Sequence, residues 1–307
     1  MKVFTLTASE NWFPDRYATE YSKYSRHEGN VDDPYNSDAV WMIASYNWRS
    51  LDINFLKQTP TICSVHHIVP EKFNQHEFSE RDKVVDLYHV PCKKTYNQVK
   101  DFTNKPIKII GYWLNTDNWF PLDRQKCKQK LNLSNNNFYI GSFQRDTEGS
   151  DLKSPKLEKG PDRFCNYVEK INKEKKVHVL LNGWRRQYVI NRLESSNIPF
   201  TYIEMPKLEV LRDMYGACDL YVVGARYEGG PQSLLEASAT KTPIISTDVG
   251  MANDLLCKNC IIDTEKEIYF PTREDIEENF NKTQKYKISD QIKLYDDLIE
   301  TTYFNFT

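Results

Sequence analysis

Short apolar runs recur about every 20 to 30 residues along this chain, and polar stretches of helix-compatible composition separate them. Each run is about as long as a buried strand, and each intervening stretch is long enough for a helix. Strands that alternate with helices in this way are typical of parallel sheets, where the crossover between neighbouring strands is usually a helix. The pattern therefore predicts an α/β fold.

The apolar runs form two successive series. The first series predicts strands at residues 3–8, 39–44, 61–65, 84–90 and 107–113. After a polar connection around residues 115–137, the second series predicts strands at residues 138–143, 177–181, 200–203, 220–223, 243–246 and 260–262. Two such series indicate two doubly wound domains, residues 1–118 and residues 119–288, with ligands expected in a crevice between the domains at the carboxyl ends of the strands.

The end of the chain predicts one further helix, at about residues 289–303. Apolar side chains recur there near helical spacing, so the helix needs a surface to cover. The positions concerned are Ile292, Leu294, Leu298 and Ile299.

Composition limits the class of protein. The 307 residues are 39% hydrophobic and 27% charged, with a net charge of −2, which argues against a broad basic surface for nucleic acid. No run approaches the roughly 18 to 20 apolar residues that span a bilayer, and the first residues lack a signal-peptide core. We therefore expect a cytoplasmic protein with no transmembrane segment. The seven cysteines have irregular spacing, so we expect free thiols.

Two glutamates, Glu228 and Glu236, have seven residues between them. The segment reads Glu-Gly-Gly-Pro-Gln-Ser-Leu-Leu-Glu. Both carboxylates can face one ligand, and Gly229 and Gly230 allow backbone N–H groups to approach it. This arrangement suits a polyhydroxylated anion. In the alternative interpretation, Ser233 and Glu236 form a capping box that only satisfies a helix N-terminus.

The stretch from residue 215 to residue 250 resembles the signature of retaining glycosyltransferase family 4, with its Glu-x7-Glu motif. The resemblance implies the GT-B architecture, that is, two Rossmann-like domains with an interdomain cleft and a terminal segment, residues 289–307, that returns to the first domain. It also implies that Glu228 contacts the transferred sugar and Glu236 holds the ribose hydroxyls. The intervening residues that it places at the donor are Gly229, Gly230, Pro231, Gln232, Ser233 and Leu234. Lys241 departs from the pattern, because the family usually has glycine there.

Basic residues flank a long polar loop that follows the first strand of the second series. By the same resemblance, Arg145 and Lys159 clamp the donor diphosphate and stabilise it as it leaves. The loop is longer than in the family, and Lys156 is an alternative to Lys159. A solvated charged loop is the other interpretation. We also expect residues 145–159 to be the least ordered part of the chain.

His66 and His67 follow a predicted strand and match the family histidine at His66. The resemblance implies that the His66 ring packs against the donor sugar. The histidine pair has no further ligands at useful spacing, so we predict no metal site there. Met205 lies in a turn where the family wraps the nucleobase with backbone groups. The family's glycine-rich loop after the first strand is absent, since residues 7–14 read Thr-Ala-Ser-Glu-Asn-Trp-Phe-Pro.

Cys257 and Cys260 form a Cys-x-x-Cys pair. No second pair stands at zinc spacing, and a predicted strand rather than a helix follows. We therefore interpret the pair as a turn and not as a zinc or redox site.

Together these features predict a retaining, metal-independent hexosyltransferase without an obligate cofactor. The donor is a nucleotide sugar, GDP-mannose or UDP-glucose, with GDP-mannose favoured, and the acceptor is a hydroxyl group of a glycan or glycoprotein. A homodimer remains open. The main alternative is a non-catalytic nucleotide-sugar or glycan-binding module. A nicotinamide-dependent oxidoreductase is disfavoured, because no Gly-x-Gly-x-x-Gly follows a strand.

Overall fold

The computed structural model describes residues 1–10, 12–29 and 31–306. The chain divides into two compact units. Unit 1 comprises Met1–Trp113 and Tyr286–Thr307, and unit 2 comprises Leu114–Lys285. Each unit contains one parallel sheet flanked by helices, so the predicted α/β class with two doubly wound domains is confirmed.

The sheet of unit 1 has six parallel strands in the order β2-β1-β3-β4-β5-β6. Its strands are β1 (Lys2–Leu6), β2 (Glu28–Gly29), β3 (Ala39–Met42), β4 (Thr61–Ser64), β5 (Leu87–Val90) and β6 (Ile107–Ile109). The inner strands β3, β4 and β5 are buried along their whole length, which explains why most of their residues are apolar. The two-residue edge strand β2 is too short to give a sequence pattern and was not predicted.

The helices of unit 1 that precede unit 2 in the chain are α1 (Phe13–Tyr24), α2 (Ile53–Lys57), α3 (Gln75–Asp82) and α4 (Lys93–Val99). Side-chain caps begin two of them. Asp52 accepts hydrogen bonds from the first backbone N–H groups of α2, and Asn74 accepts one from Glu77 in α3. These caps satisfy donors that the helical hydrogen-bond pattern leaves unpaired.

The sheet of unit 2 has five parallel strands in the order β11-β10-β7-β8-β9. Its strands are β7 (Phe138–Phe143), β8 (Val177–Asn182), β9 (Phe200–Ile203), β10 (Leu220–Val223) and β11 (Ile244–Ser246). Its helices are α5 (Arg124–Lys130), α6 (Pro161–Ile171), α7 (Gln187–Ser195), α8 (Leu208–Ala217), α9 (Gln232–Ala239), α10 (Ala252–Leu255) and α11 (Arg273–Thr283). The chain starts in the middle of this sheet, adds β8 and β9 on one side, and then returns to add β10 and β11 on the other. Ligands of doubly wound sheets bind at such a reversal of strand order, here between β7 and β10.

The core of unit 2 forms where α6 covers the sheet. Phe164, Val168 and Ile171 follow the spacing of one helical face and are fully buried against strand residues that include Val179 and Leu181. Each such side chain contributes about 1.5 to 3 kcal/mol when it is removed from water. This packing fixes the start of α6 relative to the ends of β7 and β8.

The predicted strand at residues 260–262 is wrong. Residues Lys258–Cys260 form a 3-10 helix, and Ile261 makes a single parallel bridge to Ser246. The apolar character of this stretch reflects burial, because Cys260 is fully buried and Ile262 is only 7% exposed. A short apolar run does not by itself distinguish a strand from a buried turn.

The final helix, α12 (Ile288–Phe306), belongs to unit 1 and contacts α1, β3 and β4. Ile292, Leu298 and Ile299 are buried as predicted, but Leu294 is 47% exposed. Tyr295 takes the inner position instead, with its ring 5.2 Å from that of Trp41 and its hydroxyl group 3.0 Å from that of Tyr17. Among the described residues, we find no helix that is both long enough and apolar enough to cross a bilayer.

We predict that Leu298→Ala lowers the free energy of unfolding by about 2 to 5 kcal/mol, because it leaves a cavity under α12. Leu294→Ala on the same helix is the matched control and should change it by about 0.5 kcal/mol or less. Urea unfolding of both variants measures the difference. Equal destabilisation by the two substitutions would show that the helix has a different rotation about its axis.

Candidate functional site

Two loops of unit 2 meet at the reversal of strand order. One loop follows β7 and runs to Gly160, and the other follows β10 and runs to Pro231. The backbone N–H groups of Arg226 and Tyr227 both donate to the carbonyl oxygen of Glu158, at 2.8 and 3.1 Å. The two loops are thus joined through their main chains, and any side chain they carry is held at a fixed spacing.

Gly160 allows the closest approach between these loops. Its φ of 65° lies in the left-handed region, and a Cβ atom there would lie 1.9 Å from the carbonyl oxygen of Gly224. No other residue type fits, since both the backbone conformation and the contact exclude a side chain. Pro161 then opens α6 with the φ that a first helical residue requires.

This contact brings Lys159 and Glu228 together. The Nζ atom of Lys159 lies 2.5 Å from Oε1 of Glu228, and the two side chains are 22% and 13% exposed. The resemblance assigns these residues to different parts of one ligand, the phosphate and the sugar. In the structure they are ion-paired neighbours.

Two further cations surround this pair. The pKa of the Lys156 ammonium is lowered by burial and then by the nearby charges of Arg145 and Lys159, and Glu158 offsets part of this effect. The Nζ atom of Lys156 lies 3.7 Å from Oε1 of Glu158. Like charges in a partly buried place disfavour each other, so such a cluster is an electrostatic indication of an anion-binding site. Lys156 and Lys159 both belong to it.

Residues 145–159 form a hairpin, and the expectation that they are the least ordered part of the chain stays a prediction. Thr147 and Pro155 form an antiparallel bridge, and the N–H of Lys156 donates to the carbonyl oxygen of Asp146 at 2.8 Å. Asp151 closes the tip by accepting hydrogen bonds from Lys153 and Ser154. Polar composition suggested disorder, but these local hydrogen bonds stabilise a defined loop.

A buried ion pair anchors this hairpin to the sheet. Arg186 and Asp146 are both 0% exposed, with Nη2 and Oδ2 2.9 Å apart. The Arg186 guanidinium group also donates to the carbonyl oxygens of Ser142 and Asn182, at the ends of β7 and β8. Sequence reasoning missed Arg186. Its signal was the Arg-Arg pair shortly after a strand, at the same edge of the sheet as Arg145.

Glu236 lies inside unit 2, 4% exposed, on α9. The hydroxyl group of Tyr215 donates to its Oε2 atom at 2.9 Å, and burial followed by the Glu236 charge raises the pKa of that tyrosine strongly. The helix begins at Gln232 after Pro231, with no side-chain cap. Glu236 is therefore the fifth residue of α9, beyond the reach of a capping box, and the alternative capping interpretation is wrong.

The turn before α9 is buried and closely packed. A Cβ atom on Gly250 would lie 2.2 Å from the carbonyl oxygen of Gly229 and 2.7 Å from the nitrogen of Gly230. Pro231, Gln232 and Ser233 are partly exposed, whereas Leu234 is fully buried in the core. The Leu234 side chain thus has a packing role, and only its backbone can face a ligand at this turn.

Met205 follows β9 with a φ of 44°. The left-handed conformation costs a non-glycine residue about 1 to 2 kcal/mol, and strained backbone of this kind is concentrated at ligand sites. The turn that the resemblance assigns to the nucleobase therefore has an unusual backbone conformation at Met205. Its backbone N–H and C=O groups, rather than the side chain, are the groups that would face the base.

His66 lies in unit 1, where both of its ring nitrogens are engaged. Nε2 is 2.8 Å from the carbonyl oxygen of Ile43, so it carries the proton, and Nδ1 accepts from the hydroxyl group of Tyr112. The Phe13 ring meets the imidazole edge-on at 5.5 Å. These contacts fix the orientation of the imidazole ring.

Known proteins similar to this chain include glycosyltransferases. Residues 152–302, just under half of the chain, match the family model described as glycosyl transferases group 1. No curated protein matches significantly. HepE from Anabaena, solved with UDP and glucose, superposes with a TM-score of 0.75 and 11% identity over 98% of this chain and 100% of HepE. Sucrose-phosphate synthase from Thermosynechococcus elongatus gives a TM-score of 0.67 and 12% identity over 88% of this chain and 75% of that protein.

At these identities the solved structures establish the fold. The two-domain α/β architecture of the GT-B type, predicted from the resemblance, is confirmed. The family match covers the second half of the hairpin, from residue 152, together with α9 and the segment between them, and it supports a glycosyltransferase.

We predict that Gly160→Ala lowers the free energy of unfolding by about 3 kcal/mol, from the left-handed backbone and the clash with Gly224. Gly224→Ala lies on the other side of the same contact, where an added methyl group meets no atom closer than 3.3 Å. The Gly224→Ala substitution should lower the free energy of unfolding by about 1 kcal/mol or less. Chemical denaturation compares the two variants, and a larger loss for Gly224→Ala would contradict the described packing.

Proposed function

We propose that this protein is a retaining hexosyltransferase. It transfers a hexose from a nucleoside diphosphate sugar to a hydroxyl group of a glycan or glycoprotein. The observation that carries this proposal is the meeting of Lys159 and Glu228. Both residues lie within the region that matches the glycosyltransferase family, as does the neighbouring Lys156, whereas Arg145 precedes that region. A carboxylate next to several cations suits a ligand with both hydroxyl groups and a diphosphate.

The diphosphate is assigned to the basic cluster of Arg145, Lys156 and Lys159. Arg145 offers a planar fork of donors and the lysines offer point charges. The start of α6 adds the partial positive charge of a helix N-terminus next to Lys159. These charges stabilise the negative charge that develops on the leaving diphosphate, so the proposed reaction uses protein cations in place of a divalent metal.

The hexose is assigned to Glu228 and to the backbone at Gly229 and Gly230. Donor binding replaces the contact between Lys159 and Glu228 with contacts from each side chain to the donor. Lys159 then turns to the phosphate, and the carboxylate accepts hydrogen bonds from sugar hydroxyls. The ion pair holds both side chains in place before the donor arrives, which lowers the cost of ordering them on binding.

The ribose is assigned to Glu236. The hydrogen bond from Tyr215 holds one carboxylate oxygen and so fixes the direction of the other. A buried carboxylate with a fixed direction suits ribose hydroxyls, because a hydrogen bond to a charged acceptor is stronger than one to a neutral acceptor. The Met205 turn is assigned to the nucleobase through its backbone.

Retention of configuration is proposed to follow attack from the same face as the leaving group. The bond from the anomeric carbon to the diphosphate oxygen breaks, and the acceptor oxygen bonds to that carbon. The acceptor proton passes to the departing phosphate. No protein nucleophile takes part. The sequence assignment of His66 to the donor sugar stays a prediction, and because both ring nitrogens have partners, the ring itself would make that contact.

The donor class is a nucleoside diphosphate hexose. GDP-mannose remains the donor favoured from the sequence. UDP-glucose is tested with it, since HepE from Anabaena was also solved in complex with UDP-glucose. Calorimetry with both donors, followed by nuclear magnetic resonance of the anomeric proton of the product, tests the proposal. Binding of neither donor would refute it.

We predict that Glu236→Gln weakens nucleotide binding by about 1 to 3 kcal/mol, because the ribose hydroxyls lose a charged acceptor. Glu277→Gln in α11 is the control, since that carboxylate is exposed and pairs with Lys241. Calorimetry with the nucleoside diphosphate measures both. Unchanged affinity in Glu236→Gln would contradict the ribose assignment.

We predict that Lys159→Met lowers the turnover of saturating donor about 100- to 1,000-fold, the effect of removing one donor to a developing negative charge. Lys153→Met on the same hairpin is the control, because that side chain is exposed. Donor hydrolysis and transfer are assayed together. If the wild-type protein binds donor without turnover and Glu228→Gln changes nothing, the protein is a binding module.

A further inference from the structure

Three side chains outside the proposed donor site converge inside unit 2. The Sγ atoms of Cys257 and Cys260 are 3.3 Å apart, and the first lies 3.2 Å from Oδ1 of Asp275. All three ligand atoms lie within 4.8 Å of one another. The residues are 2%, 0% and 5% exposed. Two thiols and a carboxylate thus share one water-excluded place.

The local fold produces this convergence. The N–H of Cys260 donates to the carbonyl oxygen of Cys257 at 3.1 Å, which closes the 3-10 turn and brings both sulfur atoms to one side. Asn279, one turn after Asp275 on α11, accepts from the N–H of Cys257 at 2.6 Å. The start of α11 is therefore tied to the turn that contains both cysteines.

We propose that Cys257, Cys260 and Asp275 bind a thiophilic divalent cation of the zinc class, which joins the turn after α10 to the start of α11. Tetrahedral zinc with Zn–S of about 2.3 Å and Zn–O of about 2.0 Å separates its ligand atoms by about 3.5 to 3.8 Å. The Cys257 sulfur lies 3.3 Å from the Cys260 sulfur and 3.2 Å from Oδ1 of Asp275. Both distances are shorter than the zinc spacing by up to about half an ångström, so these side chains move slightly apart to admit the ion.

The surroundings of the three ligands match those of metal sites. The second carboxylate oxygen of Asp275 accepts from the Tyr269 hydroxyl group at 2.5 Å and from the N–H and hydroxyl groups of Thr272 at 2.8 Å each. These bonds hold Oδ1 toward the sulfurs. The side-chain amide of Asn279 donates to the sulfur of Cys260 at 3.5 Å. Such outer contacts orient ligands and sustain their charge.

Metal binding here releases protons. The cation displaces one proton from each sulfur, and the two thiolates and the ionised carboxylate become its ligands. A water molecule takes the remaining coordination position, because the second Asp275 oxygen is occupied by the hydrogen bonds from Tyr269 and Thr272.

Sequence reasoning interpreted the Cys-x-x-Cys pair as a turn because it found no further ligand at zinc spacing. The turn is present. The third ligand comes from a helix that begins 13 residues after Cys260, and its distance in sequence follows no metal-binding pattern. Only the packing of α11 against this turn reveals it.

Cobalt(II) titration of the reduced, metal-free full chain tests the proposal. We expect one cobalt ion per chain with thiolate-to-cobalt charge-transfer absorption, release of two protons, and displacement by zinc. Cys260→Ser should abolish the absorption, and Asp275→Asn should lower the cobalt affinity about 10-fold or more. Cys165→Ser, a buried thiol elsewhere in unit 2, is the control and should behave as wild type.

Thermal unfolding of the wild-type protein keeps the test independent of how well the variants fold. Zinc should raise the midpoint and a chelator should reverse the increase, since a metal that binds only the folded state stabilises it. A wild-type titration without thiolate absorption would overturn the proposal. So would the same absorption in the Cys257→Ser, Cys260→Ser double variant.

Discussion

The contact between Gly160 and Gly224 is the constraint on which the candidate site depends. The loops after β7 and β10 arise from strands that are neighbours in the sheet but separated in sequence by two strand-helix units. Because Gly160 has no side chain, the loops approach to backbone distance. Lys159 and Glu228 then fall within 2.5 Å of each other. A β-carbon at Gly160 would separate the residues that the proposed chemistry requires together.

Burial and ion pairing together set the electrostatics of the candidate site. Three cations share a partly buried region, where burial and then the neighbouring positive charges lower the pKa of Lys156. Two glutamates pair with Lys156 and Lys159 and offset part of the repulsion among the cations. The hairpin that carries the cations is held by Arg186 and Asp146, a fully buried pair whose polar contacts reach both β7 and β8. In the proposed function, the donor diphosphate brings further negative charge to this cluster.

The fold could be predicted largely from the sequence, because buried parallel strands leave uninterrupted apolar runs. The strands at Phe138–Phe143, Phe200–Ile203 and Leu220–Val223 were predicted with their observed bounds. The predictions were wrong where an apolar residue is buried but is not part of a strand, or where the sequence pattern placed the wrong side chain on the buried face of a helix. Ile261 is in a turn, and Tyr295 replaces Leu294 on the inner face because aromatic packing, which periodicity does not describe, sets the rotation of α12. For the site, motifs identified the charged residues. Arg186 and Asp275 were missed because their partners are distant in sequence.

A crystal structure of the protein with UDP or GDP tests the central claim most directly. The account predicts that the diphosphate lies against Arg145 and at least one of Lys156 and Lys159, that Lys159 has left Glu228, and that Glu236 accepts hydrogen bonds from the ribose while Tyr215 keeps its own. A nucleotide bound elsewhere on unit 2, or a bound ribose with no contact to Glu236, would contradict it.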